Sequence, residues 1–333
     1  RVSPDKAAKT TSTIFPALLA ILPPSTTPVL RQAVETALGL LIRHCITDAE
    51  ILALVESDAA MVDGASDAGK TLQGVIELVS ASLTSAQYAG PSLPHLLAVI
   101  RALFLRLRLR VPSTSSTAAS ALLQPLLTTL ARLRTTHQFE WKRQLDEVLS
   151  TSIQVCGPAA FLEILPLELL PSAESQKKGG DWTGGRAFLL PLLKPAITNT
   201  SLEHFKSHFI PLSSSLFALA ATAKAGERTL EAKIYDTLID QIWALLPGYC
   251  TYATDVVTSF SLEFLNTLTT ILYSTPSLRQ PILRALQLLL STTTSLASSQ
   301  SPPELLFAQF GLTPADGRAA LAHLSSLAPT VLG

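Results

Sequence analysis

Apolar residues recur every three or four positions along most of the chain, a spacing that places them on one face of a helix. Leu30, Val34, Leu38 and Leu41 follow this spacing. The same spacing returns in two later segments, at Leu96, Ile100, Leu103 and Leu107 and at Leu262, Leu265, Leu268 and Leu272. Each of these segments predicts an amphipathic helix with one buried stripe.

Strict alternation of apolar and polar residues, which is typical of a strand, is sustained only in residues 103–111. Leucine and arginine alternate there from Leu105 to Arg110. Because the segment continues a helical stripe with no turn between them, we interpret it as the end of a helix. Arginines at that place would suit the negative end of the helix dipole.

Turn-forming residues interrupt the helical pattern at short and fairly even intervals, from Pro23 to Pro171. Thr47, with Glu50 three residues later, has the spacing of a capping box at a helix start. Each interval holds one helix and a turn, and two intervals match the roughly 40–47 residues of a HEAT or armadillo unit. A helical pair that is apolar on both faces needs stacked neighbours to bury them. The sequence therefore predicts an all-α fold, a HEAT/armadillo-like α-solenoid of stacked antiparallel helix pairs.

The amino-acid composition agrees with this fold class. Of the 333 residues, 47% are hydrophobic but only 6% are aromatic, so leucine and alanine supply a core suited to helix-on-helix packing. The mean hydropathy is positive, +0.36, yet we find no uninterrupted apolar run of about 18 residues, the length that a membrane span needs. We therefore expect a soluble chain without a membrane partner.

Charge and cysteine content indicate the cellular compartment of the protein more than its function. Lysine plus arginine equals aspartate plus glutamate, 25 each, so the net charge favours neither nucleic acid nor membrane. Cys45, Cys156 and Cys250 are widely spaced and odd in number, which is typical of reduced thiols in the cytosol or nucleus. Because the chain begins with Arg1 and has a single methionine, Met61, we expect an internal piece of a longer protein.

Residues 64–71 (GASDAGKT) match the G-x-x-x-x-G-K-[ST] pattern of a P-loop, in which Lys70 and Thr71 would meet a nucleotide phosphate and magnesium. That chemistry needs a buried strand before the loop and a parallel sheet around it. Residues 57–63 predict a helix end and a turn instead. We therefore interpret the segment as a loop between helices. A nucleotide binder that uses Gly69, Lys70 and Thr71 is the least favoured alternative.

His204 and His208 are four residues apart on a predicted helix, which is the spacing of paired zinc ligands. They lack the glutamate of H-E-x-x-H and a clear third ligand, so we interpret them as a polar stripe beside Phe205 and Phe209. The chain also has no G-x-S-x-G elbow, cysteine pair or glycine-rich dinucleotide turn. The sequence therefore predicts no enzyme activity, no metal or other cofactor, and no small-molecule substrate.

Eight basic residues cluster where the pattern predicts turns between successive helices. They are Arg101, Arg106, Arg108, Arg110, Arg132, Arg134, Lys142 and Arg143. Equivalent turns of a solenoid line one edge, so these side chains would form a ridge that binds RNA phosphates. The alternative is a set of solvated residues at helix ends, paired with the helix dipole and with scattered acids.

Residues 155–290 carry a series of motifs in a fixed order. The motifs are Gly157-Pro158, FLEILPL at 161–167, GRAFLLPLL at 185–193, Leu202, His204-Phe205, FIPL at 209–212 and QIWALLPGYC at 241–250. In this order they resemble the ribosomal RNA-processing protein 12 family, whose members are large HEAT-repeat proteins of eukaryotic pre-ribosomes. Phe188 stands where the family usually has tryptophan, and Tyr249 where it usually has phenylalanine. Each departure keeps an aromatic ring.

The resemblance implies a non-enzymatic scaffold in ribosome biogenesis, which binds the small-subunit precursor during rRNA maturation and subunit export. It implies pre-ribosomal proteins and pre-rRNA as partners, and it extends to the nuclear export machinery and the Ran GTPase. The implied location is the nucleolus and nucleus, with shuttling to the cytoplasm on pre-ribosomes. A nuclear transport receptor, which is also a HEAT solenoid and binds Ran, is the main alternative.

The motifs and breakers divide the chain into four parts. Residues 1–154 are expected to be N-terminal helical repeats, and residues 155–290 the family-specific HEAT-repeat region with an exposed loop at 172–185. Residues 291–303 are rich in Ser, Thr and Pro and predict a linker, and residues 304–333 predict a further helical repeat segment. Arg186, directly after the glycine-rich loop, is expected to tie that loop down rather than to contact a partner.

Overall fold

The computed structural model describes residues 4–23, 26–60, 67–111, 116–170 and 185–327. In these ranges the chain forms helices and turns but no strand, and the one β-type pairing there is an isolated bridge between Arg110 and Thr117. The chain divides into two compact units, unit 1 (Arg1–Leu165) and unit 2 (Pro166–Gly333). The prediction of an all-α fold is confirmed. None of the helices in the described ranges is long and apolar enough to cross a lipid bilayer.

Unit 1 contains nine α-helices in its described part. They are α1 (Pro4–Leu19), α2 (Pro28–Cys45), α3 (Asp48–Ala60), α4 (Asp67–Thr84), α5 (Leu93–Arg106), α6 (Ala118–Leu122), α7 (Gln124–Thr135), α8 (Lys142–Cys156) and α9 (Pro158–Ile164). Helix α5 packs against both α2 and α8, and the neighbours α1–α2, α3–α4 and α7–α8 also pack together. Unit 1 thus consists of stacked helix pairs of the HEAT type.

Helices α2 and α5 run side by side in the same direction. His95 near the start of α5 contacts Glu35 of α2 at 2.7 Å. Arg106 at the end of α5 donates to the Ile46 carbonyl just after α2, at 2.9 Å. Both contacts join residues that are 60 positions apart, so the two helices keep one register along their length.

The helix ends lie where turn-forming residues predicted them. Thr47 and Glu50 form the expected capping box, because the Glu50 N–H donates to Thr47 Oγ1 at 3.3 Å and the Thr47 N–H donates back to the Glu50 carboxylate. Helix α8 ends at Gly157, whose φ of 86° is a conformation that glycine adopts without steric cost. Pro158 then begins α9, at a position where no backbone donor is needed.

The alternating segment 103–111 differs in part from its interpretation as a helix end. Helix α5 stops at Arg106, and the following residues pair with the start of α6, where the Ala119 N–H donates to the Leu107 carbonyl at 2.9 Å. Leu107 is fully buried whereas Arg108 is exposed. Residues 103–106 are thus the end of the helix, as expected, whereas residues 107–111 are non-helical backbone in which Leu107 and Val111 are buried and Leu109 is half-buried.

Unit 2 contains ten α-helices in its described part. They are α10 (Leu189–Ala196), α11 (Leu202–His204), α12 (Ile210–Ala225), α13 (Thr229–Trp243), α14 (Leu246–Tyr249), α15 (Val256–Ser259), α16 (Leu262–Ser274), α17 (Arg279–Ala297), α18 (Pro303–Phe310) and α19 (Pro314–Leu327). A π-helical turn, Phe205–Phe209, joins α11 to α12. Helices α12 and α13 form one tightly packed pair, and α17 packs on both α14 and α19.

Helix α19 approaches α17 closely because Gly317 has no side chain. A Cβ atom at Gly317 would lie 2.6 Å from the Ala297 backbone nitrogen. Beside this contact Leu296, Leu306 and Leu312 form a small buried cluster that joins α17, α18 and the start of α19. Residues 304–327 are therefore part of unit 2's packed structure.

The structure places several boundaries differently from the sequence. The expected boundary after residue 154 lies inside α8, and the chain passes from unit 1 to unit 2 after Leu165. The first half of the expected linker, residues 291–297, is helical, which corrects that part of the prediction. Thr293 and Thr294 donate their hydroxyls to the Leu289 and Leu290 carbonyls one turn earlier, so a Ser/Thr-rich composition does not end the helix. Of the expected loop 172–185, residues 172–184 lie outside the described residues.

Candidate functional site

Four of the eight predicted RNA-binding residues lie on α5 or directly after it, namely Arg101, Arg106, Arg108 and Arg110. Arg106 is held by other parts of unit 1, because its guanidinium donates to the Ile46 carbonyl and to Asp48 Oδ1 at 2.7 Å. Arg101 donates to Thr151 Oγ1 of α8 at 3.1 Å. Arg108 is exposed and Arg110 is half-buried. Arg101 and Arg106 therefore hold helices together.

The other four lie around the turn between α7 and α8, namely Arg132, Arg134, Lys142 and Arg143. Arg134 forms a bidentate pair with Asp146, with N–O distances of 2.5 and 3.2 Å. The Arg143 guanidinium lies 3.8 Å from the Glu147 carboxylate, and both side chains are exposed. Arg132 and Lys142 are exposed as well. Three of these four cations can therefore reach an anion in solution.

The structure separates the two groups, so the predicted single ridge is corrected to two patches. Helix α6 lies against the end of α5, and α7 begins directly after α6. Helix α7 then runs for 12 residues before it reaches the turn to α8, a distance of at least about 15 Å at 1.5 Å per residue. The end of α5 and the α7–α8 turn are therefore not equivalent turns of one edge, because α7 carries the chain away from the end of α5.

The P-loop-like segment does not have the setting that nucleotide binding requires. Gly64 and the two residues after it lie outside the described residues, whereas Gly69, Lys70 and Thr71 lie in the first turns of α4. The element before the segment is the helix α3, and the described part of the chain contains no sheet. A P-loop places its glycines between a strand and a helix. The described structure therefore favours the interpretation as a connection between two helices.

His204 and His208 belong to an aromatic cluster around the π-helical turn. Their rings stack with centroids 5.3 Å apart, and His204 Nδ1 lies 2.6 Å from the Tyr249 hydroxyl. Phe205 and Phe209 are fully buried beneath them. Among the described residues, no group of three side chains that could hold a metal ion is found. The two histidines therefore pack against aromatic rings. This position beside Phe205 and Phe209 is the one that the sequence predicted.

Burial makes this cluster sensitive to pH. Burial lowers the pKa of His204 from 6.5 to about 4, and the charge of the neighbouring His208 lowers it further within that shift. Burial lowers the pKa of His208 as well. As pH falls, the two imidazoles bind protons at a higher pH in the unfolded chain than in the folded one. The free energy of unfolding of unit 2 should therefore fall as pH drops from about 6.5 towards 4. The half-exposed rings should limit the loss to about 1–2 kcal/mol.

Urea unfolding at pH 7.5 and pH 5 measures this effect. His204→Gln should flatten the difference between the two pH values. The matched control is His137→Gln, on the exposed turn after α7, which should keep the difference. An unchanged pH dependence in His204→Gln would contradict the assignment.

Trp243 fixes the position of α13 against α12. Its indole N–H donates to Ser213 Oγ at 2.8 Å, and both residues are buried. The indole ring meets Phe205 edge-to-face, with centroids 5.6 Å apart. Tyr249, which is also fully buried, completes this core. The motif QIWALLPGYC at 241–250 thus lies mainly in the core of unit 2.

Arg186 binds residues that come before the glycine-rich loop, whose residues 172–184 lie outside the described ranges. Its guanidinium donates to the Pro166 carbonyl at 2.7 Å and lies 3.0 Å from the Glu168 carboxylate. The Arg186 backbone N–H donates to the Leu167 carbonyl at 2.8 Å. Gly185, with φ of 58°, lies directly against the Glu168 carbonyl, where a side chain would not fit. The Gly-Arg pair therefore closes residues 166–168 onto the segment before α10.

Asp255 holds the start of α11, a role for which we found no signal in the sequence. Its carboxylate accepts from Ser201 Oγ at 2.6 Å, from Ser259 Oγ at 2.7 Å and from the N–H groups of Leu202 and Glu203 at 2.6 and 3.0 Å. Burial opposes the charge, but these hydrogen bonds hold the pKa of Asp255 below its ordinary value. The donors Ser201, Leu202 and Glu203 lie more than 50 positions from Asp255 in the chain, so local spacing does not reveal these contacts.

The chain is similar to known proteins of one family. The family profile described as "Ribosomal RNA-processing protein 12, HEAT repeats" matches residues 24–333. The putative ribosomal RNA-processing protein 12 of Schizosaccharomyces pombe is 33% identical over 208 residues, which are 62% of this chain and 17% of that protein. The RRP12-like protein of Homo sapiens is 33% identical over 173 residues, which are 52% of this chain and 13% of that protein.

Ribosomal RNA-processing protein 12 of Saccharomyces cerevisiae is 32% identical over 169 residues, which are 50% of this chain and 13% of that protein. The matched segments thus cover less than a fifth of each of these three relatives. The profile match and the helical pairs of both units agree on the HEAT-repeat fold. The chain therefore belongs to the ribosomal RNA-processing protein 12 family, in the HEAT-repeat region that the profile describes.

Proposed function

We propose that this chain is part of a non-enzymatic scaffold in ribosome biogenesis, which binds small-subunit precursors during rRNA maturation and export. The observation that carries the proposal is the family match over residues 24–333. The names of the relatives in both yeasts refer to ribosomal RNA processing. The partners are proteins of the pre-ribosomal particle and pre-rRNA in the nucleolus and nucleus. Shuttling with the particle, through the export machinery and Ran, belongs to the same proposal.

The use of polar side chains supports a binding role rather than catalysis. Asp255, Trp243 and His204 hold helices of unit 2 against one another through short hydrogen bonds. Arg106 and Arg134 do the same in unit 1. Stacked helix pairs held in this way present long outer faces, and helical-repeat proteins use such faces to bind other macromolecules.

The RNA that copurifies with the full-length protein tests this proposal. We expect affinity purification from nucleolar extract, followed by RNA sequencing, to enrich small-subunit rRNA precursors over mature rRNA. An RNA profile equal to that of an untagged control would contradict the proposal. GTP-dependent binding to Ran without such RNA would favour the transport receptor instead.

A further inference from the structure

We propose that the α7–α8 corner, which we define as residues 132–143, is a contact surface for single-stranded RNA. The corner consists of the last turn of α7, the turn between the helices and the first turn of α8. Arg132, Lys142 and Arg143 are exposed on it, and Arg134 is the cation that Asp146 neutralises. The inference rests on the proposed function in its choice of RNA, and it replaces the eight-residue ridge with one patch.

Arg134 pairs with Asp146, but the three exposed cations of this corner, Arg132, Lys142 and Arg143, hold no helices together. Lys142 and Arg143 are the first two residues of α8, and the first turn of that helix contains no acidic residue. A cation at the positive end of a helix dipole is unfavourable, whereas a cation at the negative end is favourable. Arg43 and Arg106 lie in the last turns of α2 and α5, where the dipole accounts for them. Lys142 and Arg143 therefore add to a positive potential that an external anion would relieve.

Aromatic side chains lie between the two pairs of cations of the corner, with the exposed carboxylate of Glu140 between Phe139 and Trp141. Phe139 and Trp141 are both half-buried, and His137 is exposed between them and α7. Proteins that bind single-stranded nucleic acid combine cations for the backbone with aromatic rings on which bases stack. An acidic peptide would need the cations but not the rings. The combination at the α7–α8 corner therefore favours single-stranded RNA over an acidic protein segment.

The end of α5 is the less suitable of the two basic patches. The Arg106 guanidinium already donates hydrogen bonds to the Ile46 carbonyl and to Asp48. Arg108 is exposed, but no aromatic side chain accompanies it in the segment from Leu107 to Val111. Arg43 is exposed in the last turn of α2. Arg43 and Arg108 thus provide a matched pair of exposed cations, equal in charge to Lys142 and Arg143 and outside the proposed surface.

The inference is tested by measuring how a 20-nucleotide oligouridine binds to the purified chain. Fluorescence anisotropy at several salt concentrations gives the affinity and its salt dependence. The double variant Lys142→Ala/Arg143→Ala should bind about tenfold more weakly, and its salt slope should fall by about 1.4, the value for two lost phosphate contacts to a single strand. The double variant Arg43→Ala/Arg108→Ala should stay within twofold of the unaltered chain. Equal losses in the two variants, or no measurable binding, would overturn the proposed surface.

Two further variants separate stacking from packing. Trp141→Leu keeps an apolar side chain but removes the ring, and we expect it to weaken binding about tenfold, in the range of one stacked base. Trp141→Phe should restore affinity to within twofold. If an oligoglutamate competes for the same residues as well as oligouridine does, the surface takes an acidic protein and the RNA assignment fails. The full-length Lys142→Ala/Arg143→Ala protein is then tested for copurification of rRNA precursors. If it still enriches them, the proposed surface fails while the proposed function stands.

Discussion

Trp243→Ala is expected to lower the free energy of unfolding of unit 2 by about 4 kcal/mol, in the range for a buried tryptophan. The indole is fully buried and contacts the equally buried Phe205. Its removal leaves a large cavity between α12 and α13, and it also leaves the Ser213 hydroxyl without the N–H that donates to it. Chemical denaturation measures this loss, which corresponds to a drop in melting temperature of about 10 °C in a unit of this size.

Two further variants show which part of the Trp243 effect comes from packing. Ser213→Ala removes only the hydrogen-bond partner and should cost about 1–2 kcal/mol, because a buried indole N–H is then unsatisfied. Tyr273→Ala, at a side chain that is 76% exposed, should stay within about 0.5 kcal/mol of the unaltered chain. A cost below about 1 kcal/mol for Trp243→Ala would contradict its place in the core.

Gly248→Ala is expected to destabilise unit 2 by about 2 kcal/mol, because the new methyl group meets backbone that cannot move aside. A Cβ atom at Gly248 would lie 2.6 Å from the Ile197 carbonyl oxygen and 3.1 Å from the Ile197 Cβ. Helix α14 packs against α10 at this point, and Gly248 belongs to the Pro247–Tyr249 part of the family motif. A thermal melt and a urea titration both report the change.

The opposite sign is expected when the same substitution is made at Gly39. This residue lies inside α2, and no heavy atom outside its own helix lies within 4 Å of the Cβ position. Alanine is a better helix former, so Gly39→Ala should stabilise unit 1 by about 0.5–1 kcal/mol. Equal effects at both glycines would show that helix propensity, rather than the close approach of α14, decides the result.

Local spacing was enough to predict the helices and several of their ends. Leu96, Ile100 and Leu103 are all fully buried on α5, as their three- and four-residue steps required. The capping box at Thr47 depends only on residues within one turn, so its geometry could be predicted as well. Arg186 was expected to contact its own surroundings rather than a partner, and its guanidinium binds Pro166 and Glu168.

Tertiary packing decided the features that the sequence did not reveal. Residues 291–297 have a linker composition, yet their hydroxyls bond to the preceding turn and their helix packs on α19. The eight basic residues were placed on one edge, although the helix α7 separates the end of α5 at Arg106 from the start of α8 at Lys142. Helix direction depends on contacts between distant residues, such as Arg134 with Asp146 and Arg101 with Thr151. No local pattern contains that information.

Sedimentation of the full-length protein in a nucleolar extract tests the central claim, that stacked helical pairs form a scaffold for ribosomal precursors. We predict that the protein sediments with particles that contain small-subunit rRNA precursors. The Trp243→Ala protein should shift towards the top of the gradient, because its unit 2 is destabilised, whereas the Tyr273→Ala protein should stay with the particles. An unaltered protein that sediments as a particle-free monomer would contradict the account.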